Sequence, residues 1–91
     1  MELKLEVPEY SVEKGIQYNW EYGFEIDVQL DDNGVKIIAN KAGLRSLANH
    51  LLNLSQEGIE LGKHLHFDEF NSLNEGSLEL IIEKNEVSSS A

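Results

Sequence analysis

The chain has 91 residues, room for one domain with one modest core, and it carries seventeen acidic side chains against seven basic ones for a net charge of −10. That charge repels nucleic acid and anionic lipid, so neither is expected as a partner; it suits a basic protein surface, or simply high solubility. There are no cysteines, which excludes disulfides and thiolate metal sites.

Met1 to Glu6 alternates apolar and charged residues, without the basic and apolar stretches of a signal peptide, and no apolar run is long enough to span a membrane. A cytoplasmic protein is expected. Glu2 to Val7 places Leu3, Leu5 and Val7 on one face, the pattern of a half-buried strand that Pro8 ends. Residues 9–19 show no period and are expected to connect. Trp20, Tyr22, Phe24, Ile26, Val28 and Leu30 alternate with polar residues and glycine, predicting a long strand. Asn33-Gly34 then predicts a type I′ hairpin turn, with Leu30 opposite Ile37, Val28 opposite Ala39 and Asp31 opposite Lys36.

Asn40 is a good N-cap, and the period changes after it. Leu44, Leu47, Ala48, Leu51, Leu52 and Leu54 form an apolar stripe at helical spacing, predicting a helix over 41–57 with Gly58 as its left-handed cap. Arg45, Ser46, Asn49, His50, Asn53 and Gln56 would then lie mostly on the opposite, solvated side. His64 to Asp68 alternates again, Asn71 to Gly76 reads as a turn, and Ser77 to Lys84 reads as a strand with Leu78, Leu80 and Ile82 inward. The expected fold class is α+β: a mostly antiparallel sheet of about five strands in the order βββαββ, one helix packed on one face and the other face open to water. Residues 1–84 would make one domain and 85–91 a frayed tail. The expected core is Trp20, Phe24, Ile26, Val28, Leu47, Leu51, Leu80 and Ile82.

Nothing spells a nucleophile elbow, a phosphate-binding glycine loop or a catalytic spacing, so no enzyme and no cofactor are expected. His64, His66 and Asp68 share one side of a strand and form the one candidate metal set. The run departs from the His-x-His-x-Asp-His motif of metallo-β-lactamase-like hydrolases at Glu69, and the chain is too short for that fold. The plainer reading makes Leu65 and Phe67 core and the histidines solvated. The open sheet face is the better binding candidate, with Glu21, Glu25 and Asp27 from the long strand and Glu79 and Glu83 from the last. Ile38 and Ile81, out of phase with their strands, lie among these acids and could anchor a partner. The alternatives are an ordinary solvated face whose isoleucines are covered by residues 9–19, and a homodimer that buries Ile38 and Ile81.

Three stretches carry a family resemblance: Leu44-Arg45-Ser46-Leu47-Ala48-Asn49-His50-Leu51-Leu52, Gly62-Lys63-His64-Leu65-His66-Phe67-Asp68, and Leu73-Asn74-Glu75-Gly76-Ser77-Leu78-Glu79-Leu80-Ile81-Ile82. Over residues 42–84 the chain resembles the bacterial immunity protein 32 family of polymorphic toxin systems. The resemblance implies a small α+β protein that neutralises a cognate toxin by binding it, and it brings no catalytic motif. A small metal- or ligand-binding module built on His64, His66 and Asp68 is the other functional class the residues allow.

Overall fold

A computed structural model describes residues 1–85; residues 86–91, most of the expected tail, lie outside the described residues. Four strands and one helix follow in the order β1 (Ile26–Asp31), β2 (Gly34–Ala39), α1 (Lys41–Leu54), β3 (His64–Phe67) and β4 (Leu80–Glu83). The α+β class holds, with one helix and antiparallel pairing. The single five-stranded sheet does not form: β1 pairs with β2, and β3 with β4, as two small sheets. The chain before β4 links them, since the Asn74 and Leu78 N–H groups donate to the Ile26 and Val28 carbonyls at 2.8 Å.

Two expected strand stretches take other forms. Residues 2–7 pair with no strand; instead the Asn49 side-chain amide donates to the Glu6 carbonyl at 2.7 Å. Residues 21–24 make a turn closed by Phe24 N–H donating to the Glu21 carbonyl, which stacks the Trp20 and Phe24 rings with centroids 4.4 Å apart. The alternation there serves a turn that brings two aromatic rings together, so β1 begins only at Ile26.

The hairpin forms with a shifted register. Val28 pairs with Ile37, Leu30 with Val35 and Asp31 with Gly34, two residues away from the expected pairing. Asn33 does not adopt the positive φ a type I′ turn demands, since among the described residues only glycines have one; Gly34 takes it instead, at 126°. The Asp31 carboxylate accepts the Asn33 N–H at 2.7 Å, which places the turn one residue earlier. A two-residue shift preserves faces, so Ile26, Val28 and Leu30 still share a side with Val35, Ile37 and Ala39. Lys36 and Asp31 still meet, at 3.6 Å.

The Asn40 side chain accepts the Gly43 N–H and starts α1 where expected. The helix stops at Leu54, with Ser55 as its cap rather than Gly58. Its N-terminus lies against the hairpin at Gly43, where an added Cβ would sit 2.6 Å from the Glu25 carbonyl oxygen and 2.9 Å from Ile26 Cγ1. Only glycine fits that approach. The core consists of Ile26, Val28, Leu47, Leu54, Ile59, Leu65, Phe67 and Leu73, with Trp20, Phe24, Leu80 and Ile82 half-buried against it. Leu51 is 46% exposed and leaves the expected core. Leu78, expected inward, is exposed as well.

The helix is therefore turned from the expected phase: Leu47 and Leu54 of the leucine stripe stay in the core, and the amide flank is buried beside them in place of the outer leucines. Ser46, Asn49, His50 and Asn53 are buried, while Leu44, Leu51 and Leu52 are about half exposed. The cause lies in the N-terminal 25 residues, which have no ladder of their own and must satisfy their backbone elsewhere. Asn53 donates to the Gln17 carbonyl at 2.6 Å, Ser46 Oγ accepts the Glu21 N–H at 2.9 Å, and Gln56 both donates to the Pro8 carbonyl and accepts the Tyr10 N–H. The amide flank of α1 binds this strap, and that holds the leucine flank toward solvent.

Candidate functional site

The outward side of the β1–β2 hairpin carries Asp27 opposite Ile38 and Gln29 opposite Lys36. Asn74 follows the β1 edge, its N–H on the Ile26 carbonyl and its side-chain amide on the Asp27 carboxylate at 3.1 Å. Glu25, Asp27, Ile38, Asn40 and Asn74 thereby line one shallow hollow. Glu25 is fixed from behind, where its N–H donates to Asn40 Oδ1 at 3.0 Å and its carbonyl accepts the Asn40 N–H. The residue that caps α1 thus also positions an acidic residue of the hollow.

The outward side of β3–β4 places His64 opposite Glu83 and His66 opposite Ile81. His66 Nε2 contacts the Glu79 carboxylate directly. Ile38 and Ile81 are 46% and 56% exposed, so residues 9–19 do not cover them; that segment lies against α1 instead. Of the seven residues expected on one acidic face, six divide between the two hairpins: Glu25, Asp27 and Ile38 on the first, Glu79, Ile81 and Glu83 on the second. The seventh, Glu21, sits on the helix side, with its N–H on Ser46 and its carboxylate 3.6 Å from the Arg45 guanidinium. The turn at 21–24 removes it from the strand whose alternation would have turned it outward.

Asp68 separates from the two histidines. Its carboxylate accepts the Phe70 and Asn71 N–H groups at 2.9 and 3.0 Å, which folds the chain into the turn after β3. Among the described residues no three His, Asp or Glu side chains converge in a group able to hold a metal ion.

His50, expected on the surface, is buried among the Tyr18, Trp20 and Phe67 rings, with the Trp20 ring 4.3 Å away. Neither ring nitrogen has a hydrogen-bond partner among the described residues. Burial lowers its pKa from 6.5 to about 4, which keeps it neutral at ordinary pH. The signal for this inward flank was present in the sequence: Ser46, Asn49, His50, Asn53 and Gln56 are polar, yet none is Lys, Glu or Asp. Uncharged amides and hydroxyls at helical spacing suit backbone binding as well as they suit water.

The model of the immunity protein 32 family matches residues 34–85, more than half of the chain, from β2 through β4. The chain belongs to the immunity protein 32 family. No curated protein and no solved structure matches it. Membership gives the chain an immunity-protein role in general and points to binding rather than catalysis. The matched segment holds Ile38, Glu79, Ile81 and Glu83; Glu25 and Asp27 come from the chain before it. No helix among the described residues is long and apolar enough to cross a membrane.

Proposed function

We propose that this immunity protein neutralises a cognate bacterial toxin by direct binding, and that the outward faces of the two hairpins make the contact. The observation that carries the reading is the pairing of exposed isoleucines with carboxylates on both hairpins of a family member: Ile38 across from Asp27, and Ile81 between Glu79 and Glu83. An apolar side chain ringed by acids suits a basic toxin domain, such as a nuclease. The acids steer the encounter and the isoleucines hold the complex once formed. Opposite charges speed association roughly ten- to a thousandfold at low salt, and salt screens that gain over a Debye length of about 8–10 Å.

The test is binding kinetics against the cognate toxin domain, at several ionic strengths. Glu25→Lys with Asp27→Lys should slow association and flatten its salt dependence while the fold stays intact. Ile38→Ala should act on dissociation instead. Association indifferent to salt would remove the electrostatic part of the reading. Unchanged kinetics in all these variants would place the contact on another surface.

A further inference from the structure

The inward side of the β1–β2 hairpin is only half covered. Ile26, Val28 and Ala39 lie beneath or beside α1, but Leu30, Val35 and Ile37 on the same side are 69%, 65% and 44% exposed. The strap formed by the N-terminal residues occupies the amide flank of the helix. Leu44 and Leu51, two turns apart on the other flank, are 56% and 46% exposed. Leu30, Val35 and Ile37 form an open apolar corner of the hairpin, whereas Leu51 lies beside Ile82 and Lys84. The three hairpin side chains leave on the order of 300 Å² of apolar surface open, over a third of the roughly 800 Å² one partner gives to a standard interface.

Two further observations say what covers this corner. First, β2 is an edge strand: among the described residues β1 is its one partner, and its other side presents backbone groups with no strand against them along Gly34–Ala39. No proline interrupts that edge; its one charge, Lys36, pairs with Asp31 at 3.6 Å, and its other large side chains are Val35, Ile37 and Ile38. Second, charge is segregated along the chain. Residues 33–56, which supply β2 and α1, hold Lys36, Lys41 and Arg45 and no acidic residue, so all seventeen carboxylates lie before or after them. Two of these three cations are already paired, Lys36 with Asp31 and Arg45 with Glu21, each at 3.6 Å, so the corner offers a basic partner little net charge. A surface that repels its own copy almost everywhere does not do so at this corner.

We propose that a second copy of this chain docks here, β2 pairing antiparallel with β2 of the partner about a two-fold axis at Ile37. Such pairing sets Ile37 against its own copy and Val35 near Ala39, both on the apolar side, and sets Lys36 near Ile38 on the other. No two lysines meet. The edge hydrogen bonds are satisfied, the two open corners close side by side, and the acidic surfaces stay apart. The pairing reaches the rim of the hollow at Ile38, while the Glu25 and Asp27 carboxylates and the outward face of β3–β4 stay outside it.

Sedimentation velocity across the micromolar range tests it, with the expected result a species of twice the chain mass. Ile37→Lys puts two charges at the axis and should weaken self-association at least about a hundredfold, with an unchanged circular dichroism spectrum. Because the chain has no cysteine, a single thiol gives a second readout that survives any folding defect of the lysine variant. Mild oxidation should link Ile37→Cys into a covalent dimer far faster than Ile81→Cys, which lies on β4. A monomer throughout the range, a dimer indifferent to Ile37→Lys, or equal cross-linking at the two positions would overturn the proposal.

Discussion

The two flanks of α1 differ in a way that hydrophobicity alone does not foresee. One flank, Ser46, Asn49, His50 and Asn53, is polar and buried; the other, Leu44, Leu51 and Leu52, is apolar and about half exposed. Burial of leucine is favourable, by about 25 cal/mol per Å². Leaving a strap of peptide groups unpaired against the protein is costlier, at about 1–3 kcal/mol for each buried group without a partner. The N-terminal 25 residues bring several such groups, and the amide flank meets those of Glu6, Pro8, Tyr10, Gln17 and Glu21. Where a segment lacks a strand ladder, a helix can supply partners through its side chains, and its apolar flank is then left about half exposed.

Substitutions that act differently on the two flanks sharpen this contrast. The largest effect is expected at the floor beneath the amide flank: Phe67→Ala, at a buried ring packed against Trp20 and His50, should cost about 3–5 kcal/mol in urea unfolding. Next is a pH effect. The folded state keeps His50 neutral down to about pH 4, whereas the unfolded chain protonates it near 6.5, so its contribution is fully present above pH 6.5 and is lost as pH falls toward 4. The amplitude is on the order of 3 kcal/mol, and His50→Leu should flatten the stability profile across that window relative to the parent. Asn53→Ala leaves the Gln17 carbonyl without its donor and should cost about 1–3 kcal/mol. Leu51→Ala, on the open flank, should cost less than about 1 kcal/mol in the monomer, because half of that side chain is already in water.

The elements with a strong local cause were legible in the sequence. Asn40 announces α1, alternation over Leu65 and Phe67 announces a strand with those two side chains buried, and the apolar phase of Ile26 and Val28 is right. The errors arise where local pattern has two solutions. Asn33-Gly34 supports a turn in either of two positions, and the Asp31 carboxylate selects the earlier one. Alternation from Trp20 to Phe24 suits a strand, but without a neighbouring strand to pair with it becomes a turn. Leu44 and Leu51 match the helical period perfectly, yet which flank turns inward depends on residues 6–21, far away in sequence. Of the candidate surface, Glu25, Asp27, Ile38, Glu79, Ile81 and Glu83 follow from strand parity alone. Glu21 is lost with the strand it was assigned to, and Asp68 is drawn into the turn it caps.

Leu52 and Asn53 are neighbours in the chain and stand on opposite flanks of α1, 49% and 0% exposed. In a chain with no cysteine, Leu52→Cys and Asn53→Cys each carry one thiol, and its rate of reaction with a small disulfide reagent under native conditions reports which flank is covered. The orientation described here requires the thiol at 52 to react near the rate of an unfolded peptide and the thiol at 53 to be protected by orders of magnitude. Protection at 52 with free reaction at 53 would contradict it, and would return the leucine flank to the core.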